Sequence, residues 1–338
     1  MLGTALRSIL RGLLSQWDAM ILIAAVLLGL FFGIFFSLDS RSFSGSIDGT
    51  ILGLVFFLFF EVNFQAVFSS LNRFQFIALV MAVNFVIIPL LAFAIVNVIV
   101  PGYPALYIGL LIYFMMPCTD WFLGFTRLAK GNTVLGTALI PLNMVIQIIL
   151  YPVYLHLFGI ETTDTSSAHV VGTLIQWFFL PLVMAILAKG IMTWVLKPHQ
   201  KTWVQSSVSR LIPIGLAGLV FQIFAANSNY IILDKMILPL ILTAIMVFFV
   251  ILFFLSEAFA RFFRLSYEDH VLLAMTTTAR NAPLMLALTI AVLPNQPIVY
   301  TMIVIGMLVE FPHLIALQLL FNKRYRRRQL NQPVAPAA

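Results

Sequence analysis

Long apolar runs recur through almost the whole chain, and they leave few folds open. A helix needs about 20 predominantly apolar residues to cross a bilayer. Runs of that order predict ten spans, over 19–38, 47–66, 74–99, 105–126, 133–158, 170–193, 209–226, 236–260, 270–293 and 298–321. Of the 338 residues, 62% are hydrophobic and 9% charged. Soluble chains carry about 25% charged residues, so the solvent for most of this surface is expected to be lipid. The expected fold is an all-α membrane protein of ten transmembrane helices.

The basic residues report orientation. With the N-terminus inside, 16 of the 19 Lys and Arg fall in cytoplasmic segments; Arg41 and Lys235 fall outside, and Arg280 lies within a span. That asymmetry follows the positive-inside rule. It predicts an integral membrane protein with both termini cytoplasmic; the membrane expected for it is a prokaryotic inner membrane. The tail "NKRYRRRQ" reads as an anchor beside anionic lipid, so the bilayer is the expected partner and nucleic acid is not. The first apolar run reads as a retained helix, not a signal peptide. One cysteine excludes an internal disulfide and a multi-cysteine metal site. No cofactor is expected, and self-association is left open.

Ten spans divide at the polar loop 159–170 into five and five. An odd number makes the halves enter the membrane from opposite sides, the plan of many secondary transporters. The expected organisation is a first inverted repeat over 1–158, the loop 159–170, a second repeat over 171–321 and a basic cytoplasmic tail over 322–338. The fourth span of each half is interrupted. One carries "MMPCTDWFLGF" (115–125) with Pro117, Cys118, Thr119 and Asp120; the other carries "TTTARNAP" (276–283) with Arg280, Asn281 and Pro283. A proline frees backbone carbonyls. Non-helical backbone at membrane depth is tolerated only where protein or a water-filled cavity covers it. Taken singly, each proline could be no more than a kink. Matched breaks in corresponding spans predict broken helices that cross and line a binding site.

At these residues the chain resembles a known family. "MMPCTDWFLGFTRLAKGN" (115–132), "RNAPLMLALTIAV" (280–292) and "IGMLVEFPHLIAL" (305–317) are similar to the fourth, ninth and tenth spans of the arsenical-resistance-3 family of arsenite efflux permeases, within the bile acid:sodium symporter superfamily. The resemblance implies a core and a panel domain with crossing broken helices at spans four and nine. It also implies proton-coupled antiport of arsenite or antimonite, with a needed cysteine that Cys118 matches. Here Asp120 and Trp121 follow Pro-Cys-Thr, where the family has small or apolar residues. Pro283, Leu284 and Met285 stand where it has an acid. Arg280 stands near the sodium positions of the symporters.

The residue chemistry is compatible with that implication. A thiolate at Cys118 suits the soft centre As(III), although a lone cysteine is often only a packed core residue. Substrate contacts are expected from Cys118, Thr119, Arg280, Asn281 and Asn143. Asp120, Glu310 and His313 are the candidate proton groups. Charges at bilayer depth are expensive unless paired, so Asp120 and Arg280 are expected to pair. The pair is either a static bridge or one in which Asp120 toggles between Arg280 and a proton. Glu310 and His313 share a helix face, which suits a relay or a purely structural role. Metalloprotease, esterase and Walker motifs are missing. The alternative function is a proton- or sodium-coupled carrier of small organic anions, held by Arg280 and half-helix N-termini.

Overall fold

The computed structural model describes residues 17–36, 38, 43, 45–62, 71–119, 121–160, 172, 173, 175–226, 228 and 237–330. The described residues form helices joined by short connections and breaks, with no strand among them beyond one isolated backbone bridge. A chain this apolar must satisfy its backbone polar groups within each segment, and helices do so. In order, the helices are α1 (Trp17–Phe36), α2 (Ser46–Glu61), α3 (Phe74–Ile99), α4 (Pro104–Met115), α5 (Phe122–Leu128) and α6 (Thr133–Leu157). Then come α7 (Ile175–Val195), α8 (Pro198–Ala226), α9 (Ile237–Phe262), α10 (Tyr267–Thr278), α11 (Ala282–Val292) and α12 (Pro297–Leu330).

Six of these helices, α3, α6, α7, α8, α9 and α12, are long and apolar enough to cross a membrane; shorter apolar helices accompany them. Large apolar side chains such as Leu27, Phe35, Ile191, Trp194, Phe254 and Phe262 face outward. Their number and spread mark an integral membrane protein. Two elements outrun their expected bounds. The span expected over 209–226 begins at Pro198, and the last helix carries the basic tail on to Leu330. Lys, Arg and Gln are good helix formers, and cations are favoured at a helix C-terminus, so polarity ends the apolar span without ending the helix.

The helices sort into two groups. In one, α1 and α2 pack on α8, and α2 on α7. In the other, α4 packs on α3 and α12, α10 on α5 and α9, and α11 on α12. Glycines set the closest approach in the first group. A Cβ at Gly33 would lie 2.4 Å from the Ala225 carbonyl, and one at Gly29 2.8 Å from that of Phe221. Small residues four apart let membrane helices meet closely. Gly33→Leu is therefore expected to cost at least about 1–3 kcal/mol through overpacking, read as a lower melting temperature in detergent.

Candidate functional site

The two breaks meet. Pro117 cannot donate a backbone hydrogen bond, and it pushes Met116 out of the helical region; α4 ends at Met115, with Met116 extended. On the other side α10 ends at Thr278 with Ala279 extended, and Asn281 caps α11 by accepting from the Leu284 N–H. Pro283 sits in the first turn of α11, where its missing N–H is not needed. It starts the second half-helix, and the break itself is Ala279–Asn281.

The two extended stretches pair antiparallel around Pro117 and Arg280. The Cys118 N–H donates to the Ala279 carbonyl (3.0 Å) and the Asn281 N–H to that of Met116 (3.1 Å). Pro117 thus occupies a position of the pairing that asks for no N–H. The N–H of Arg280 opposite it donates to Glu310 Oε1 at 3.1 Å.

The Arg280 guanidinium is fully buried. Its described partners are carbonyls. Nη1 donates to Phe114 (2.9 Å), Nη2 to Thr276 (3.4 Å) and Thr277, and Nε to Thr278 (3.3 Å). These lie in the last turns of α4 and α10, where carbonyls have no intrahelical donor and the helix dipoles end negative. A permanent cation therefore closes two helix C-termini at once. The Phe248 ring lies 5.8 Å from the guanidinium carbon. Asp120, the partner expected from sequence, lies outside the described residues.

Glu310 of α12 ties the crossing to its surroundings. Oε1 accepts from Trp121 Nε1 (2.7 Å) as well as from Arg280 N–H, and Oε2 lies 2.9 Å from the Tyr113 hydroxyl. His313 is not brought into this group: it stacks on Phe249 at 4.5 Å, and its Nε2 has no hydrogen-bond partner among the described residues. Asn281 Nδ2 donates to Thr119 Oγ1 (3.1 Å), and Asn143 Nδ2 to the Cys118 carbonyl (3.1 Å). Cys118 is buried within the pairing, so the crossing assembles Pro117, Cys118, Thr119, Arg280, Asn281, Asn143 and Glu310.

Beside it, a cavity of about 720 Å³ opens between the two helix groups. Glu61 and Val62 at the end of α2, Lys189 of α7 and Ser209 of α8 line one wall, with Thr119, Leu123 of α5 and Thr137 of α6 opposite. Lys189 Nζ donates to the Val62 carbonyl at 2.6 Å, and the Ser209 hydroxyl donates to Glu61. The sequence assigns no site role to Lys189, Tyr113 or Trp121. The aromatic pair did carry a signal, since a buried Tyr or Trp needs a partner for its polar tip.

The Sodium Bile acid symporter family matches residues 51–234. That match takes in the Pro117–Thr119 break and ends before Ala279–Asn281 and Glu310. Among curated proteins, the arsenical-resistance protein Acr3 of Corynebacterium glutamicum is 23% identical over 248 residues, 69% of this chain and 66% of that protein. An uncharacterized protein of Pseudomonas aeruginosa is 26% identical over 164 residues, 47% of this chain and 49% of that protein. The chain thus spans about two thirds and about half of the lengths of these relatives. With crossed half-helices in an integral membrane protein, and with more than half of its length matched, the chain belongs to the Sodium Bile acid symporter family.

Proposed function

We propose that the chain is a secondary transporter that exports arsenite, and by the same chemistry antimonite, in exchange for protons. On this reading it is built as ten spans in two inverted repeats, 1–158 and 171–321, with both termini cytoplasmic. The observation that carries the reading is the crossing itself. Cys118 lies in it, and the next residue, Thr119, opens on the cavity between the helix groups. A single thiolate is a soft, exchangeable ligand for As(III), as a carrier that must release its cargo requires. Likeness to a protein named for arsenical resistance supports the substrate.

Proton coupling rests on Arg280. A sodium site needs hard oxygen ligands such as carbonyls, and the carbonyls freed at the crossing are bonded to the guanidinium. A second cation there would meet a repulsion of several kcal/mol at ~4 Å, even at an effective dielectric of ~20. Asp120, Glu310 and His313 remain the groups able to carry a proton. The test is uptake into everted membrane vesicles under separate proton and sodium gradients. Arsenite uptake is expected with a proton gradient and unchanged when choline replaces sodium; a steep sodium requirement overturns the coupling.

A second reading, transport of a small organic anion, is favoured by the Lys189 ammonium in the cavity wall. Arsenous acid is uncharged at neutral pH and needs no cation. Lys189→Gln is therefore expected to leave arsenite uptake within about twofold, because an uncharged cargo makes no ion pair with the ammonium and the Gln amide can still donate to the Val62 carbonyl. Under the second reading the same substitution abolishes uptake of a small carboxylate. Running both substrates in the same vesicles separates the two.

A further inference from the structure

We propose that Glu310 is a proton-binding site whose two charge states are both fully hydrogen-bonded, because the Tyr113 hydroxyl changes acceptor when the proton arrives. As the coupling step this rests on the proposed proton antiport; as a proton site it stands on the geometry. Tyr113 has one hydroxyl hydrogen and two neighbours, the Gly306 carbonyl at 2.8 Å and Glu310 Oε2 at 2.9 Å. A carbonyl only accepts, and so does an ionised carboxylate, so one hydrogen cannot serve both.

Two arrangements fit without moving a heavy atom. With Glu310 ionised, Tyr113 donates to Oε2, while the Trp121 and Arg280 N–H groups donate to Oε1. With a proton on Oε2, that O–H donates to the Tyr113 oxygen, and the Tyr113 hydrogen turns to the Gly306 carbonyl. The proton gained sits on Oε2, and no other covalent bond is made or broken; the Tyr113–Glu310 hydrogen bond reverses and one to the Gly306 carbonyl replaces it as the tyrosine's donation. A Cβ at Gly306 would lie 2.6 Å from the Tyr113 ring, so the glycine provides the slot that lets the hydroxyl reach both acceptors.

The surrounding charges permit the change. Arg280 is the charged side chain facing the group from the second break, and its guanidinium is held by carbonyls, so it is not left unpaired when Glu310 is neutral. Tyr113 faces Glu310 from α4 and Trp121 from the first break, beside Cys118. His313 on α12 turns to Phe249 of α9. Protonation also replaces two charge-assisted bonds, from Trp121 and from the Arg280 backbone, with weaker neutral ones. It therefore loosens the hold of α12 on both breaks.

The experiment is infrared difference titration of the full chain in proteoliposomes, with proton flux followed in parallel. A protonated-carboxyl band that appears on acidification is expected. It should vanish in Glu310→Gln and persist in Asp120→Asn. In Tyr113→Phe it should shift to higher frequency, as the acid loses its acceptor. The Gln amide reproduces the protonated pattern, its oxygen facing Trp121 and Arg280 and its nitrogen facing Tyr113, so that variant keeps the crossing. A band unchanged in Glu310→Gln, no titrating band in the wild type, or one indifferent to Tyr113→Phe overturns the proposal. Proton flux retained by Glu310→Gln overturns Glu310 as the coupling site and leaves proton antiport standing. An intact Glu310 band with no proton flux in the wild type overturns the antiport and leaves the proton site standing.

Discussion

Arg280→Ala is expected to remove most of the folded protein from detergent extracts, and to make what remains respond to sodium. In the wild type one buried guanidinium donates to the carbonyls of Phe114, Thr276, Thr277 and Thr278. A buried polar group left without its partner costs about 1–3 kcal/mol, so losing several such bonds approaches the ~5–15 kcal/mol by which a typical domain is stable. Two helix C-termini would also face each other without a cation between them. The space vacated is lined by carbonyl oxygens, the ligand type a hard monovalent ion takes. Sodium chloride is therefore expected to raise the melting temperature of the variant above its value in choline chloride, and to leave the wild type unchanged. Arg280→Lys keeps the charge but loses the planar fork, and should fall between the two. Size-exclusion profiles and melting curves in the two salts decide the matter. An alanine variant as stable as the wild type would mean that the carbonyls find other donors, and the account of the crossing would be wrong.

Cys118→Ser is expected to abolish arsenite export while the protein stays folded. The exchange is close to isosteric at a fully buried position. The backbone pairing made by the Cys118 N–H and the Asn143 contact to its carbonyl do not involve the side chain. Stability should therefore fall by no more than about 1–2 kcal/mol, the range for burying a hydroxyl with partial compensation. Oxygen in place of sulfur removes the soft ligand, so transport should be lost without a matching loss of protein in the membrane. Vesicle uptake, normalised to the amount of folded carrier, is the measurement. Undiminished uptake by the serine variant refutes the thiol and moves weight to the organic-anion reading.

Several features of the site are legible in the sequence. Proline beside polar residues within an apolar run has one physical consequence, an interrupted helix whose freed backbone must be covered. Pro117 and Pro283, each beside polar residues, point to the two breaks, and their positions in corresponding spans predict a crossing; the second break itself falls at residues 279–281, just ahead of Pro283. The amide at Asn143 and the carboxyl at Glu310 drew notice because burying such groups is expensive. The partners were not legible. The sequence points to Asp120 opposite Arg280, and Asp120 lies outside the described residues; the described partners of the guanidinium are main-chain carbonyls, which every residue owns and no motif advertises. Tyr113 reads as ordinary apolar bulk and Trp121 only as a departure from the family pattern; what joins them is Glu310, 197 and 189 positions away, which accepts from both. Lys189 read as one more cytoplasmic charge until α2, α7 and α8 enclosed a cavity around it.

Local chemistry therefore determined which residues are helical, where two helices break, and that lipid surrounds the whole, because hydropathy, proline geometry and the cost of buried charge act within a few residues along the chain. Tertiary structure alone decided that the crossing is made by backbone pairing of residues 116–118 with residues 279–281, that a guanidinium closes two helix ends, and that one tyrosine hydroxyl lies within reach of both a carbonyl and a carboxyl. Those outcomes depend on which carbonyls and donors come within about 3 Å of one another. Such distances are set by how α4, α10 and α12 pack, not by the order of residues in any one of them.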